Sequence, residues 1–247
     1  MAQTRLTYVG HATVLIDLDG VRLLTDPILR NRVLHLRRAV PVPHEALRGV
    51  DAVLISHGHW DHLDLPSLDR LGHEMPIVCP KGLGGLIRKR GFHTVTEVEA
   101  GETLSIGAVR VMAVRADHDG GRGPFGASAA ALGFVVSGSQ TVYFAGDTDL
   151  FDEMGELGPM DAALLPVAGW GAKVGPGHLD PARAAQAAAL LQPRIAIPIH
   201  WGTLARVGRA PEPDPPREFA RLVTGQAPGV EVQILDPGAT LTLHDNL

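Results

Sequence analysis

The sequence contains a single cysteine, Cys79, in 247 residues, so no disulfide can form within the chain. This usage fits a reducing compartment. Cys79 lies in the short apolar segment 76–80, which predicts a small core residue rather than a nucleophile. No apolar run approaches the roughly 18 residues of a membrane span, and residues 1–5 lead straight into an alternating strand. We therefore expect a cytoplasmic protein without an export signal or a transmembrane segment.

The sequence also has no excess of basic residues. It carries 22 Lys and Arg against 27 Asp and Glu, a net charge of -5, and so offers no general surface for a phosphate backbone. It lacks a Gly-x-Ser-x-Gly motif, and the glycines of segment 82–85 lack the spacing and lysine of a phosphate-binding loop. These absences predict a small-molecule substrate rather than nucleic acid, and they argue against a serine hydrolase.

The hydrophobic content of 45% is enough for a sizeable core, and no shift in composition marks a boundary, so we expect one domain over 1–247. Short β runs outnumber helical segments, which favours two packed sheets with helices outside over a doubly wound parallel sheet. Asp19-Gly20 predicts a hairpin between strands 13–18 and 21–25. Asp180-Pro181 predicts the start of a helix that runs to residue 191. Residues 30–49 and 117–127 are predicted to be loops.

Four metal-ligating side chains follow the apolar strand 51–55 within one short segment: His57, His59, Asp61 and His62. Imidazole and carboxylate are the usual ligands of zinc and similar ions. A tight loop can turn the first two toward one ion and the last two toward a second ion. A solvated, histidine-rich loop is the alternative, but the density of ligands at a strand end favours a metal site.

Three further candidates, His118, Asp147 and His200, follow other predicted strands. Each has an ordinary alternative: a loop histidine, an aspartate that bonds turn amides, and a histidine packed beside Trp201. Together the strand ends supply five histidines and two carboxylates, which is enough for two metal ions.

The segment from His57 to His62 matches in full the His-x-His-x-Asp-His motif of the metallo-β-lactamase superfamily, which this sequence resembles. Residues 10–13, 25–27, 56–64, 145–148, 178–181 and 199–203 resemble the N-acyl-phosphatidylethanolamine phospholipase D group, and the ascorbate-6-phosphate lactonase group shares a looser version. The resemblance implies an α/β (α+β) fold: a four-layer αββα sandwich of two mixed β-sheets with helices on the outer faces.

The resemblance also implies a ligand set and a reaction. A first metal is expected on His57, His59 and His118, a second on Asp61, His62 and His200, with Asp147 bridging both. Two zinc ions per chain are expected, with manganese or iron as alternatives. A hydroxide that bridges the ions, oriented by Asp61, would cleave an ester, lactone or phosphodiester bond of a small or lipid-like substrate.

Four residues near the ligands have possible supporting roles. His178 is predicted to be catalytic, donating a proton to the leaving group or binding a substrate oxygen, with a surface histidine as the alternative. His11 and Asp26 are candidates to orient ligand histidines through their other ring nitrogens, or are turn residues at strand ends. Asp117 is a weaker candidate for the same role beside His118.

Trp170 and Trp201 either line the pocket or pack in the core. Arg115, Arg122 and Lys173 either hold an anionic substrate group or lie on a solvated surface. Two rival functions remain open: an iron-dependent oxidoreductase on the same scaffold, and a nuclease of the tRNA-processing type. A binding module without activity would need a broken ligand set, and all seven ligands are present. The sequence gives no indication of the oligomeric state.

Overall fold

The computed structural model describes residues 3–123, 126–168 and 174–244. Its elements alternate strands with a few short helices. The strands are β1 (Thr4–Gly10), β2 (Thr13–Leu18), β3 (Val21–Thr25), β4 (Arg32–Val33), β5 (Leu36–Arg38), β6 (Ala52–Leu54), β7 (Ile77–Pro80), β8 (Val95–Val98), β9 (Thr103–Ile106), β10 (Val109–Asp119), β11 (Ala130–Ser137), β12 (Thr141–Phe144), β13 (Ala162–Pro166), β14 (Ile195–Ile199), β15 (Leu204–Arg206), β16 (Glu231–Val232) and β17 (Thr240–Leu243). The helices are α1 (Leu65–Asp69), α2 (Gly84–Lys89), α3 (Pro181–Leu191) and α4 (Pro215–Gln226), and 3-10 turns cover His44–Leu47 and Asp152–Glu156.

The strands form two seven-stranded mixed sheets with the same pattern of directions. The first has the order β17-β1-β2-β3-β6-β7-β8, and the second has the order β9-β10-β11-β12-β13-β14-β16. In each sheet the first three pairings are antiparallel and the last three are parallel. The parallel strands of each sheet therefore end at one common edge, where loops can bring side chains together.

The core lies between the two sheets, with a smaller core on the outer face of the first sheet. Along β2, Val14 and Ile16 face the second sheet, whereas Leu15 belongs to the outer cluster beneath α1 and α2. This alternation follows from the two-residue period of a strand that is buried on both faces. Helix α3 covers the second sheet through alanines such as Ala184. The predicted αββα sandwich is confirmed.

The predicted hairpin and long helix are both present. Asp19 and Gly20 adopt positive φ angles between β2 and β3, as a two-residue hairpin requires. The Asp180 side chain caps α3 by accepting from the amide of Arg183. Among the described helices, the longest has 12 residues, and none is long and apolar enough to cross a membrane.

Two predicted loops are instead partly strand. Within 30–49, β4 and β5 form a hairpin that pairs with the distant β15 in a small third sheet. Val33, Leu36 and Leu204 bury a small apolar cluster beneath it, which no local pattern in this arginine-rich stretch reveals. Strand β10 also continues to Asp119, so His118 lies on the strand rather than in the predicted loop.

Candidate metal centre

Candidate ligands from both sheets meet at the edge where the parallel strands end. His57 follows β6 closely and Asp26 directly follows β3 in the first sheet, while His200 directly follows β14 and Asp147 comes soon after β12 in the second. The structure brings together all seven predicted metal ligands: His57, His59, Asp61, His62, His118, Asp147 and His200.

The first group of ligand atoms belongs to His57, His59 and His118, whose donor atoms all lie within 4.8 Å of one another. The ring centroids are 4.6 to 4.8 Å apart and the rings stand nearly perpendicular. Nε2 of His118 is 3.1 Å from Nδ1 of His59. This is the trio that the family resemblance assigns to the first ion.

The second group contains Asp61, His62 and His200, again with donor atoms within 4.8 Å of one another. Nε2 of His62 lies 3.2 Å from Nε2 of His200. His11 joins this group, because its Nε2 is 3.1 Å from Oδ2 of Asp61. The sequence predicts that His11 orients a ligand histidine through the second ring nitrogen of that histidine. The structure instead places it against the carboxylate, with its ring 3.9 Å from that of His200.

Asp147 contacts the second group directly and lies close to the first. Its Oδ2 is 3.1 Å from Nε2 of His62 and its Oδ1 is 3.3 Å from Nε2 of His200. It also forms a cluster of donor atoms with His118 and His178. The carboxylate is buried, so it holds its negative charge between the two groups rather than in solvent.

Asp26 and Ser56 orient His62 and His57 through hydrogen bonds to their Nδ1 atoms. Nδ1 of His62 donates to Oδ2 of Asp26 at 2.7 Å, and the same oxygen accepts from the Ser56 hydroxyl at 2.5 Å. Since that hydroxyl gives its proton to Asp26, it accepts from Nδ1 of His57 at 2.9 Å. One buried carboxylate therefore orients both rings so that their Nε2 atoms face the site.

Backbone carbonyls fix two further rings. Nδ1 of His200 donates to the carbonyl of Ala168 at 2.6 Å, and Nδ1 of His118 donates to the carbonyl of Gly177 at 2.7 Å. A carbonyl only accepts, so each Nδ1 carries the ring proton and each Nε2 of the neutral ring presents a lone pair. The sequence did not reveal these carbonyls, because any residue type can supply them.

This donor set fits divalent cations. Lone pairs on Nε2 of His200 and Nε2 of His118 each face another imidazole nitrogen. Within the described residues, Nε2 of His57 and Oδ1 of Asp147 are buried without a hydrogen-bond partner. A buried unpaired acceptor costs about 1–3 kcal/mol, and a coordinated cation removes that cost. Nitrogen with carboxylate oxygen is a donor set suited to zinc.

Burial keeps most of the imidazoles neutral, which is the form that binds metal. It lowers the pKa of His11 to about 3 and that of His118 to about 4. It also lowers the pKa of His57 well below its ordinary value and lowers the pKa values of His59 and His200. The unprotonated ring nitrogens of His57, His59, His118 and His200 therefore present lone pairs for a metal ion at neutral pH.

The two carboxylates stay ionised in spite of their burial. Burial alone would raise the pKa of Asp61, but the hydrogen bond from His11 and nearby histidines hold it well below its usual range. Burial is likewise outweighed at Asp147, where His200 and His62 lower the pKa of the carboxyl. At His62 burial opposes the charge, yet Asp147 raises the pKa of the ring. Two fixed negative charges thus face the donor nitrogens.

Backbone strain is concentrated at this site. His11, Asp26 and His200 have φ angles of 59°, 32° and 64°, in the left-handed region that residues with a side chain rarely adopt. Each such residue costs on the order of 1–3 kcal/mol. The amide of His200 donates to the carbonyl of His11 at 2.8 Å, so two of the strained turns support each other.

His178 lies at the open side of the site. Its Nε2 is 3.4 Å from Oδ2 of Asp147, and a quarter of its side chain is exposed. Nδ1 lies 3.1 Å from the carbonyl oxygen of Pro176, which fixes the direction of the ring. Asp117 does not touch the His118 ring through any described contact; its carboxylate faces Arg115 and its amide donates to Thr148.

Two of the three candidate anion-binding residues, Arg115 and Arg122, bind other groups of the protein. Arg122 is buried rather than solvated: Nη1 donates to the carbonyls of Gly58 and Leu63, at 2.9 and 2.7 Å. Arg115 pairs with acidic side chains at the surface.

Trp201 is a core residue that stacks on Tyr8 and donates from Nε1 to the carbonyl of Pro198. Cys79 is buried as predicted, and burial raises the pKa of its thiol to about 12. Trp170 and Lys173 lie outside the described residues.

Comparison with known proteins gives a consistent family. A sequence model of the beta-lactamase superfamily domain matches residues 21–201. The chain is 35% identical over 243 residues to a UPF0173 metal-dependent hydrolase of Methanopyrus kandleri, covering 95% of this chain and 97% of the relative. It is 32% identical over 225 residues to N-acyl-phosphatidylethanolamine-hydrolyzing phospholipase D 1 of Caenorhabditis elegans, covering 80% of this chain and 63% of that protein.

The fold comparison agrees. Igni18, a metallo hydrolase from the archaeon Ignicoccus hospitalis, matches with a TM-score of 0.77 at 25% identity, covering 99% of this chain and 100% of that chain. The family match extends over the strands and loops that carry all the candidate ligands. The chain therefore belongs to the metallo-β-lactamase superfamily, as one of its metal-dependent hydrolases.

Proposed function

We propose that this chain is a dinuclear hydrolase that cleaves an ester, lactone or phosphodiester bond of a small or lipid-like substrate, with zinc as its metal. The observation that carries the proposal is the division of the donor atoms into two groups on either side of one carboxylate. His57, His59 and His118 form one group, and the other contains Asp61 and its neighbouring histidines. Asp147 contacts His62 and His200 of the second group, and one of its oxygens lies within 4.8 Å of a ring nitrogen of His118 in the first.

Different residues of the site would have different roles in such a reaction. When bound, two divalent cations acidify a water and polarise the oxygen of the bond under attack. Asp61 has 15% of its side chain exposed and is held by His11, so it can accept a hydrogen bond from the attacking water. The buried, strained loops hold their side chains in place before the substrate arrives, which lowers the cost of reaching the transition state.

His178 is proposed to move a proton to the leaving group. It is partly open to solvent and its Nε2 points toward the carboxylate shared by the two groups. Carbonyls of the loop accept from Nδ1, so the proton that reaches the leaving group is the one on Nε2 of the protonated ring. Burial opposes this charged form, but Asp147 outweighs it and raises the pKa of His178. A proton donor needs this reach to the reacting atoms.

A combined metal and substrate assay tests the proposed function. Purified full-length protein is reconstituted with zinc, manganese or iron and metal content is measured. The samples are then screened on acyl esters, lactones and phosphodiesters. The proposal expects two metal ions per chain and hydrolysis within one of these bond classes. Mostly iron with oxygen consumption and no hydrolysis would contradict it and favour an oxidoreductase.

The role of His178 is tested separately with His178→Ala. We expect turnover to fall by about 10²–10⁴-fold, the contribution typical of a general acid, while metal content stays near that of the unsubstituted protein. His73→Ala is the control, since His73 also contacts an aspartate but lies at the exposed surface. Unchanged turnover in His178→Ala would rule out the proposed proton transfer.

A further inference from the structure

A mostly apolar cavity opens directly beside the proposed metal centre. It has a volume of about 230 Å³ and lies between the β4–β5 hairpin and the loop that carries the ligands. We call it the hairpin pocket; its walls include Val33, Leu34, Leu36, His59, Trp60 and Asp61. Because His59 and Asp61 belong to the metal centre, a molecule in this pocket reaches the reacting atoms.

Trp60 forms a fixed wall of the hairpin pocket. Its ring is 46% exposed, which is unusual for so large an apolar side chain. The guanidinium of Arg122 stacks over the ring, with Cζ 3.9 Å from the centroid. The same guanidinium is anchored to the carbonyls of Gly58 and Leu63. The indole is therefore held in position before any ligand binds.

Leu34 forms a second exposed part of the wall. It lies at the tip of the hairpin, 55% exposed, with a φ of 49°. Leucine is disfavoured in this left-handed conformation, where asparagine or glycine is usual. Neither the backbone conformation nor burial explains why a leucine occupies this position. A contact with an apolar ligand does explain it. Val33 and Leu36 close the base of the pocket from the buried side of the hairpin.

The charges around the pocket indicate what it excludes. Among the described residues that line it there is no lysine or arginine, and Asp61 is the one carboxylate. Away from the side that borders the metal centre, none of these residues offers an anionic group a counter-charge. An apolar group instead buries its surface at about 25 cal/mol per Å².

We infer that the hairpin pocket binds an uncharged apolar acyl or alkyl group of the substrate, with Leu34 and Trp60 as its specificity-determining residues. The inference rests on the proposed hydrolase function, because it places the scissile bond beside His59 and Asp61. At roughly 30 Å³ per non-hydrogen atom, taken from the volume of a water, the cavity holds about eight such atoms. A six-carbon chain fits and a phospholipid acyl chain does not fit in full.

The test compares Leu34→Asn with Val207→Asn in the zinc-loaded, full-length protein. Asparagine tolerates the left-handed conformation, so the first variant keeps the hairpin while removing its apolar wall. Val207 is 57% exposed and its amide donates to His35 of the same hairpin, but it does not line the pocket, which makes it a matched control. Hydrolysis of methyl acetate, methyl hexanoate and hexyl acetate is followed in a pH-stat.

The unsubstituted protein is expected to favour either methyl hexanoate or hexyl acetate over methyl acetate in kcat/KM by about tenfold or more. Leu34→Asn is expected to reduce that preference about fivefold, and Val207→Asn is expected to leave it within twofold. Equal preferences in the two variants would overturn the role of Leu34.

A binding measurement separates this inference from the proposed function. Titration with 1-hexanol, with ethanol as the control, is followed through the indole N–H resonance of Trp60, assigned with Trp60→Phe. Hexanol should shift this resonance, with affinity weakened about fivefold in Leu34→Asn and unchanged in Val207→Asn. This result without hydrolysis of any acyl ester, lactone or phosphodiester in the substrate screen would support the pocket and reject the hydrolase. Hydrolysis without a hexanol-induced shift would support the hydrolase and overturn the pocket.

Discussion

At the level of single residues, the geometry of the candidate site depends on the side chains that hydrogen-bond to the candidate ligands. The seven candidate ligands could be predicted from the sequence, because so many histidines and aspartates at the ends of strands are typical of a metal site. Ser56 was not predicted as part of the site, because a lone serine has no distinctive spacing. The structure shows that it links His57 to Asp26. The contact of His11 with Asp61 could not be predicted from the sequence either, since the two residues are 50 positions apart.

Asp26→Asn should weaken metal binding by about 10–100-fold, the usual effect of losing an acceptor behind a ligand histidine. The amide cannot serve as a charged acceptor for both His62 and Ser56. A competition titration with a zinc chelator measures the change. Asp19→Asn is the matched control, because Asp19 also has a positive φ and accepts from a serine, Ser139, at the surface. Equal zinc affinity in both variants would contradict this account of Asp26.

At the scale of elements, Arg122 holds the ligand-bearing loop in shape. It follows the strand that carries His118, and it donates to the carbonyls of Gly58 and Leu63 at the two ends of that loop. The amide of Gly58 also donates to the carbonyl of Gly120. The loop from His57 to His62 and the segment after His118 are thereby joined by hydrogen bonds of the protein itself, without a metal ion.

Arg122→Met should destabilise the fold by about 2 kcal/mol, since it leaves two buried carbonyls without their donor while keeping an apolar stem. Urea unfolding of the metal-free protein measures this change. Arg115→Met is the control: Arg115 also lies over an aromatic ring, that of Phe151 at 5.0 Å, but it is exposed. We expect its effect to stay within about 0.5 kcal/mol. A similarly small effect for Arg122→Met would show that the arginine does not brace the loop.

The elements that could be predicted are those whose signals are local. The hairpin between β2 and β3 follows from Asp19-Gly20, and α3 follows from the Asp180 cap and the proline behind it. The β4–β5 hairpin was missed because its stability comes from pairing with β15, far along the chain, and from four buried apolar side chains. The hairpin pocket was therefore also beyond prediction, since the hairpin forms one of its walls.

At the scale of the whole molecule, the centre joins the two sheets. The first sheet supplies Asp26 and the loop from His57 to His62, and the second sheet supplies His118, Asp147 and His200. Two carboxylates held ionised in this buried junction repel each other unless a positive charge lies between them. Metal binding should therefore stabilise the fold as well as enable the reaction.

Zinc should raise the melting temperature of the metal-free protein by about 10 °C at a free concentration near 1,000 times its Kd. Linkage gives about 4 kcal/mol under that condition, and a chain of this size gains roughly 2–4 °C per kcal/mol. Differential scanning calorimetry before and after dialysis against a chelator measures the shift. Magnesium, which prefers all-oxygen sites, is the control and should change the melting temperature little. A zinc shift below about 2 °C would contradict a structural role for the metal.

Anomalous diffraction at the zinc edge, from crystals of the reconstituted protein, shows whether two ions bind on either side of Asp147. We expect two peaks, one beside His57, His59 and His118 and one beside Asp61, His62 and His200, with the Asp147 carboxylate between them. In crystals of Asp147→Ala at least one peak should weaken. A single peak in the unsubstituted protein at saturating zinc, or two undiminished peaks without Asp147, would contradict a carboxylate-bridged pair of ions.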